Sequence, residues 1–271
     1  MKDYFKNITR VDLDDEFIQL LDSFEKKYGS KETAIEKFAE CIGFCYLVDK
    51  DDVRGYEGVP FEMILPFATG SDGEHMGWID LCPTDSRFKK PFVTWAPMGG
   101  YVFYHGTEII EIMSNLTRCI HEDNNYDDID LDFLNGINVF PDKGRPVELN
   151  LNFEGELKDL PVDIPKGFVF KQTLDGIGVL ANEDLFDISF KLQDYSDIET
   201  LLKNGTDYLD SKPATALEIS KNLYFNIWHE GINNKYYLSI LELLSRSYDT
   251  LGMKQAKELV NNEIKKAYNN I

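Results

Sequence analysis

The sequence contains no long apolar run. Its longest apolar stretch, residues 42–48, is far shorter than the roughly 20 residues of a transmembrane helix. The first ten residues, MKDYFKNITR, include no apolar segment typical of a signal peptide. These absences predict a cytoplasmic protein that does not insert into a membrane.

Cysteine is scarce, with four in 271 residues, and in the cytoplasm these are expected to be reduced thiols. Cys41 and Cys45 are one helical turn apart, and Cys82, Cys119 and His121 are the residues that would have to complete a metal site with them. Structural zinc sites usually contain two closely spaced cysteine pairs. A single such spacing occurs here, inside an apolar helical pattern, so we predict buried thiols and no zinc.

The sequence contains few basic residues in comparison with its acidic residues. The 28 Lys and Arg residues stand against 48 Asp and Glu residues, which gives a formal net charge of −20 and a pI near 4.5. This balance argues against a protein that binds nucleic-acid phosphates. It is compatible with a cationic partner, and equally with a charge that merely keeps the protein soluble.

Common catalytic motifs are also missing: the sequence has no Walker loop, no HExxH and no GxSxG. Residues 121–132 are rich in carboxylates, but they lack the central glycine and the closing glutamate of an EF-hand loop. We interpret them as a solvated connection, and we expect no cofactor and no tightly bound metal.

The apolar pattern that is present predicts an α+β protein. Two helices are expected, one after Asp14 or Asp15 and the next after Ser30. Short runs of β-branched and aromatic residues between Phe61 and Tyr104 then predict an antiparallel meander of strands, closed by a helix at 107–120. Helices in this order would pack against the sheet.

The second half predicts a different arrangement. Residues 139–146 contain two prolines and a glycine, which indicates a boundary between domains 1–140 and 141–271. Helical spacing from Asp197 onward, interrupted at Gly205, predicts a C-terminal helical tail. Before that tail, the sequence predicts a small β section of about four strands. Apolar residues alternate at 147–153 and 186–190, and Asp175-Gly176 favours a hairpin turn between strands at 168–170 and 177–180.

The turn from Thr69 to Gly73 is the most specific local motif. Gly70 and Gly73 flank Asp72, so we predict positive φ at one of these glycines and an Asp72 side chain that caps local amides. The alternative is a catalytic cluster of Asp72, Glu74 and His75, in which two side chains would have to converge on a third group. No nucleophile or phosphate loop accompanies them, so the structural turn is the simpler interpretation.

The run PFATGSDGEHMGWI, with the later PFVTWAPM and a following strand and helix, resembles the SUKH superfamily over about residues 10–120. The matching positions are Pro66, Phe67, Ala68, Thr69, Gly70, Asp72, Gly73, His75, Gly77, Pro97 and Met98. The LP-dyk-fl-NG pattern that begins this fold is not evident. The resemblance implies an antiparallel meander sheet with flanking helices, and it supplies no catalytic residues.

The resemblance also implies a function by analogy of fold. Many bacterial members look like immunity proteins that neutralise toxins of competing cells, and fungal members are implicated in regulating cell-wall synthesis. Together with the acidic charge, this predicts a non-enzymatic protein-binding module of the immunity type that neutralises a basic toxin.

The predicted binding residues lie in or beside the meander. The acidic rim is Asp51, Asp52, Glu57, Glu74 and Asp80, and the aromatic anchors, provided that they are exposed, are Trp78 and Tyr101. Two alternatives stay open: a regulatory or scaffolding protein that acts through its helical tail, and an enzyme built on Asp72, Glu74 and His75. The sequence indicates no oligomeric state.

Overall fold

The computed structural model describes residues 1–4, 15–41, 58–64, 75–85, 88, 90–96, 101–107, 164–191 and 195–270. Several predicted features lie outside these residues: the closing helix at 107–120 except its first residue, the acidic run at 121–132, the boundary at residue 140 and the strand at 147–153. The same is true of the turn residues Gly70, Asp72 and Gly73 and of the rim residues Asp51, Asp52, Glu57 and Glu74.

Helices α1 (Asp15–Tyr28) and α2 (Lys31–Cys41) form the predicted helical pair. Gly29 has a φ of 96°, a conformation that glycine adopts readily and that ends α1. The Thr33 amide donates to Ser30 Oγ at 3.1 Å, which caps the start of α2. The apolar residues of both helices recur at helical spacing and are buried, among them Phe17, Leu21, Phe24, Ile35 and Phe38.

Four strands form an antiparallel sheet in sequence order: β1 (Met63–Ile64), β2 (His75–Ile79), β3 (Phe92–Ala96) and β4 (Tyr101–Gly106). This confirms the meander that the sequence predicts between Phe61 and Tyr104. Every side chain of β2 and β3 is buried. Because successive side chains of a strand point to opposite faces, both faces of the sheet centre are covered.

The α1–α2 pair covers one face. The ring of Phe17 on α1 packs edge-on against Trp78 on β2, with centroids 4.7 Å apart, and Trp78 packs in the same manner against Phe92 at 4.6 Å. On the opposite face, Val93 and Trp95 belong to a core that also contains Ile177, from the second half of the chain. The sheet is therefore the middle layer between two parts of the molecule.

The second half contains a β hairpin followed by four helices: β5 (Phe168–Lys171), β6 (Val179–Asn182), α3 (Ile198–Tyr208), α4 (Pro213–Ile227), α5 (Tyr237–Thr250) and α6 (Lys254–Asn269). β5 and β6 pair antiparallel, as predicted. Together these elements confirm an α+β protein with a C-terminal helical region. None of the described helices is both long enough and apolar enough to cross a membrane.

Two predicted details are wrong. Residues 186–190 are not a strand: a 3-10 turn (Glu183–Leu185) follows β6, and the Asp187 carboxylate accepts hydrogen bonds from the amide and the hydroxyl of Ser189. Gly205 does not interrupt α3. It lies in the packed side of the helix, where a Cβ atom would come within 2.6 Å of Leu243 Cδ2, so the glycine allows close packing of α3 on α5.

Helix α4 is the centre of the second half. Nearly all of its side chains are buried, including five polar ones, of which Glu218, Lys221 and Asn222 lie at helical spacing. A helix that is buried all round belongs to the interior of a protein rather than to its surface. The polar side chains of α4 therefore need partners inside the molecule.

Candidate functional site

Lys221 on α4 is the centre of a group of buried ionisable side chains. Its Nζ atom forms ion pairs with Glu62, just before β1, and with Asp175 Oδ2 at 3.1 Å, in the β5–β6 turn. The Tyr248 hydroxyl on α5 donates to Glu62 Oε1 at 2.8 Å. All four residues are more than nine-tenths buried. We refer to Glu62, Asp175, Lys221 and Tyr248 as the buried charge cluster.

The hairpin turn holds Asp175 in place. The Thr173 hydroxyl donates to Asp175 Oδ1, and the Ile177 amide donates to the same oxygen at 3.0 Å. The Gly178 amide donates to Thr173 Oγ1 at 2.8 Å, which closes the turn. The Trp95 indole on β3 donates to the Asp175 carbonyl oxygen at 3.0 Å. The turn is therefore tied both to α4 and to the sheet.

The electrostatics of the cluster favour a charged lysine. Burial alone would lower the pKa of Lys221, but the neighbouring carboxylates of Asp175 and Glu62 outweigh burial and raise this pKa. A nucleophilic lysine needs a lowered pKa, which is the opposite direction. A buried ion group is stable only if its geometry and its additional hydrogen bonds offset the loss of hydration. The arrangement thus fits a structural connection better than covalent catalysis.

Glu218 lies one turn before Lys221 on α4 and is 6% exposed. Its Oε2 atom has no hydrogen-bond partner in the part of the chain that the structure describes. Burial raises the pKa of Glu218 to about 7, and the opposing effect of Lys171 is smaller. Burial, together with the charge of Glu218, also raises the pKa of Tyr195. Glu218 is therefore a carboxyl group that titrates near neutral pH.

We predict that Glu218 makes the stability of the protein depend on pH. An ordinary glutamate has a pKa near 4.5, whereas that of Glu218 in the folded state is about 7. The folded state therefore binds the proton more tightly, and stability falls as the pH rises from about 4.5 to about 7. Between pH 5 and pH 8 this loss amounts to about 2 kcal/mol, from 1.36 kcal/mol for each pKa unit.

Glu218→Gln removes this loss. Urea unfolding gives the free energy of unfolding of both proteins at pH 5 and pH 8. The difference between the variant and wild type should be about 2 kcal/mol more favourable to the variant at pH 8 than at pH 5. Glu199→Gln, at an exposed position on α3, is the matched control. The difference between its free energy of unfolding and that of wild type should be the same at both pH values. A Glu218→Gln variant that follows the pH dependence of wild type would contradict the assignment.

Both described histidines of the sheet are buried. His75 on β2 is fully enclosed, with its ring edge-on to Trp95 at 6.2 Å between centroids. On β4, His105 Nε2 lies 2.7 Å from Thr94 Oγ1, and burial lowers the pKa of His105 to about 4, which keeps it neutral at pH 7. The proposed catalytic role of His75 would require contact with a substrate, whereas the structure places its ring in the core.

The predicted binding residues that the structure describes have different environments. Trp78 is 6% exposed and packs between Phe17 and Phe92, so it does not meet the condition of exposure for an anchor. Asp80 is largely buried and pairs with Lys90 at 3.3 Å. Tyr101 begins β4, opposite Ala96 on β3.

Neither a protein-family model nor a curated protein matches this chain. Within the described ranges, no group of three or more His, Cys, Asp or Glu side chains is placed to hold a metal ion. Of the cysteines considered for a metal site, Cys82 is a free thiol, and burial raises its pKa. The function must therefore be argued from the residues of this chain.

Sequence reasoning missed the buried charge cluster. Its members come from four separate elements, and Lys221 is separated from Glu62 by 159 positions. One signal was present: Glu218 and Lys221 interrupt the otherwise mostly apolar sequence PATALEISKNLYFNI of α4. Charged residues in a helix of this composition indicate buried partners elsewhere in the chain.

Proposed function

We propose that this chain is a cytoplasmic protein-binding protein of the immunity type, whose partner is a basic protein such as a toxin domain. The resemblance of residues 10–120 to the SUKH superfamily supports the binding role. The distribution of charge is the observation that carries the proposal. Residues 1–140 contain 27 Asp and Glu against 13 Lys and Arg, whereas residues 141–271 contain 21 against 15. The acidic excess is thus greater in the half of the chain that contains the SUKH-like stretch.

Helix α2 presents part of this excess as a line of carboxylates. Glu32, Glu36 and Glu40 are spaced by four residues, and all three are exposed. Like charges at this spacing destabilise a helix by about 0.2–0.5 kcal/mol for each pair. Helix stability therefore does not explain their arrangement. We refer to these three residues as the acidic ridge.

The acidic ridge is incompletely neutralised. Lys37 forms an ion pair with Glu40, but no lysine or arginine in the described parts of the chain pairs with Glu32 or Glu36. Asp80, by contrast, already pairs with Lys90. In the proposal, the ridge adds three carboxylates to those that the sequence predicts at Asp51, Asp52, Glu57 and Glu74, and Asp80 contributes less.

Exposed carboxylates of this kind act mainly on the rate of association. A complementary charge steers the partner during diffusion, and dissolved salt screens this attraction over a distance of about 8–10 Å near physiological ionic strength. Dissociation depends more on the buried contacts at the centre of an interface. The test of the proposal is therefore the salt dependence of the association rate.

We predict that replacing the acidic ridge, as Glu32→Gln, Glu36→Gln and Glu40→Gln together, slows association with a basic toxin domain about tenfold at low salt. The dependence of the association rate on salt should become flatter, and the variant should remain folded because all three side chains are exposed. The measurement is stopped-flow association across a salt series, and the partner to use is a basic toxin domain found by examining the genes on either side.

The matched control is Glu199→Gln, Asp207→Asn and Asp210→Asn, which changes the charge by the same amount on and beside α3. The association rate of this control should depend on salt in the same way as that of wild type. A parallel variant, Asp51→Asn, Asp52→Asn and Glu57→Gln, tests the rim predicted from sequence. If the association rate depends on salt equally in wild type and in both acidic-surface variants, the electrostatic part of the proposal is contradicted.

The immunity role has its own test. Bacterial cells that express the toxin domain should resume growth when this chain is expressed with it. Growth that stays arrested, together with no measurable binding between the purified proteins, would overturn the proposed function.

A further inference from the structure

We propose that the buried charge cluster is an ionic lock that makes the N-terminal sheet and the C-terminal helices open as one cooperative unit. Glu62 belongs to the chain segment that leads into the sheet, Asp175 to the hairpin, and Lys221 and Tyr248 to two helices. The lock is therefore formed only when all of these elements are in place.

The segment of residues 58–64 is held from two sides. Val59 and Met63 are buried in the core of the sheet. Phe61, between them, points into the core of the C-terminal helices, where its ring lies 5.2 Å from that of Tyr224. Gly58 packs so closely on Trp228 that a Cβ atom would lie 3.0 Å from the indole. The segment cannot leave one core without disturbing the other.

The hairpin turn makes the reciprocal connection. Ile177 is fully buried in the core of the sheet, although it comes from the second half of the chain. The Trp95 indole donates to the Asp175 carbonyl oxygen, and the Asp175 carboxylate binds Lys221. Asn222 Oδ1 on α4 accepts a hydrogen bond from the Leu174 amide at 2.7 Å. The turn thus joins β3 directly to α4.

The charges make partial opening unfavourable. Moving the sheet away from the helices would separate Glu62 from Lys221 and from Tyr248 at the same time. In an opening too small to admit water, each group left behind would be a buried polar group without its partner, which is costly in the low dielectric of a protein interior. The sheet and the helices are therefore more stable together than either is alone.

Native-state hydrogen exchange of the full-length chain tests this coupling. Tyr248→Phe removes one hydrogen bond to Glu62 and leaves the charges in place, so the variant is expected to fold. Amides of β2 and β3 should exchange about tenfold faster, and amides of α4 and α5 should accelerate by a similar factor.

Tyr237→Phe probes the same coupling from outside the cluster. It lies on the same helix, it is also buried, and its hydroxyl donates to Glu263 on α6 at 3.2 Å rather than to the sheet side. Because the proposal makes the sheet and the helices one unit, this variant should accelerate exchange in β2 and β3 by the same factor as in α5 and α6. In a chain whose cluster is neutralised as Glu62→Gln, Asp175→Asn and Lys221→Met, it should accelerate exchange in the helices alone.

The proposal is overturned if Tyr248→Phe accelerates exchange in the helices alone or in the sheet alone. It is equally overturned if no amide responds, or if Tyr237→Phe still accelerates exchange in the sheet when the cluster is neutralised. Each of these results would show that the cluster does not couple the two parts.

Discussion

Lys221→Met is expected to lower the free energy of unfolding by about 3–5 kcal/mol. Methionine has nearly the length of lysine and fits an apolar interior, so the packing changes little. The carboxyl groups of Glu62 and Asp175, however, would stay buried without their shared cation. For a chain of this size, such a loss lowers the melting temperature by on the order of 10 °C. Urea and thermal unfolding at pH 7, followed by circular dichroism, measure the effect.

Two further variants separate charge from packing. Lys203→Met, at an exposed position on α3, should change stability by less than about 0.5 kcal/mol. Combining Lys221→Met with Glu62→Gln and Asp175→Asn removes the uncompensated charges and should recover a large part of the loss, because neutral replacements of buried ion groups are often tolerated. A single Lys221→Met variant that is as stable as wild type would contradict the ionic role of the cluster.

The elements that could be predicted from sequence are those with a local cause. Gly29 and Ser30 set the end of α1 and the start of α2 through backbone conformation and capping, which involve only neighbouring residues. The Asp175-Gly176 turn between two apolar runs predicted the β5–β6 hairpin for the same reason.

The details that could not be predicted depend on distant contacts. The apolar alternation at 186–190 suggested a strand, but Ile188 is 70% exposed, and Asp187 bonds to Ser189 and to the Tyr208 hydroxyl instead. Such side-chain hydrogen bonds compete with strand pairing. At Gly205 the packing of α3 on Leu243 outweighs the low helix propensity of glycine.

The candidate site shows the same limit. The residue types of Trp78 and Tyr101 suggested anchors, but type alone does not determine exposure, and Trp78 is enclosed by rings from α1 and β3. In the buried charge cluster, Tyr248 and Glu62 are 186 positions apart. A pair at this separation leaves no periodic pattern, so it is visible only once the sheet and the helices are assembled.

Gly178→Ala is expected to destabilise the protein by about 2–5 kcal/mol, through two effects that add. Gly178 has a φ of 77°, where an L-residue costs about 1–2 kcal/mol. An added Cβ atom would also lie 2.2 Å from Phe170 Cζ and 2.8 Å from the Lys171 carbonyl oxygen. Phe170 packs on the core of the sheet, and the carbonyl belongs to β5. Relief of this overlap therefore requires a backbone shift, which costs a further 1–3 kcal/mol or so.

The shift would reach the buried charge cluster, because the Gly178 amide donates to Thr173 Oγ1, and Thr173 in turn orients Asp175. Gly167→Ala is the matched control: it precedes the same hairpin, its φ is 90°, and no atom lies within 4 Å of the added Cβ. The control should lose only the backbone contribution of about 1–2 kcal/mol. Urea unfolding of both variants gives the difference. If both variants lose the same free energy of unfolding, the Phe170 side chain moves aside without cost and the turn is not rigidly connected to the cluster.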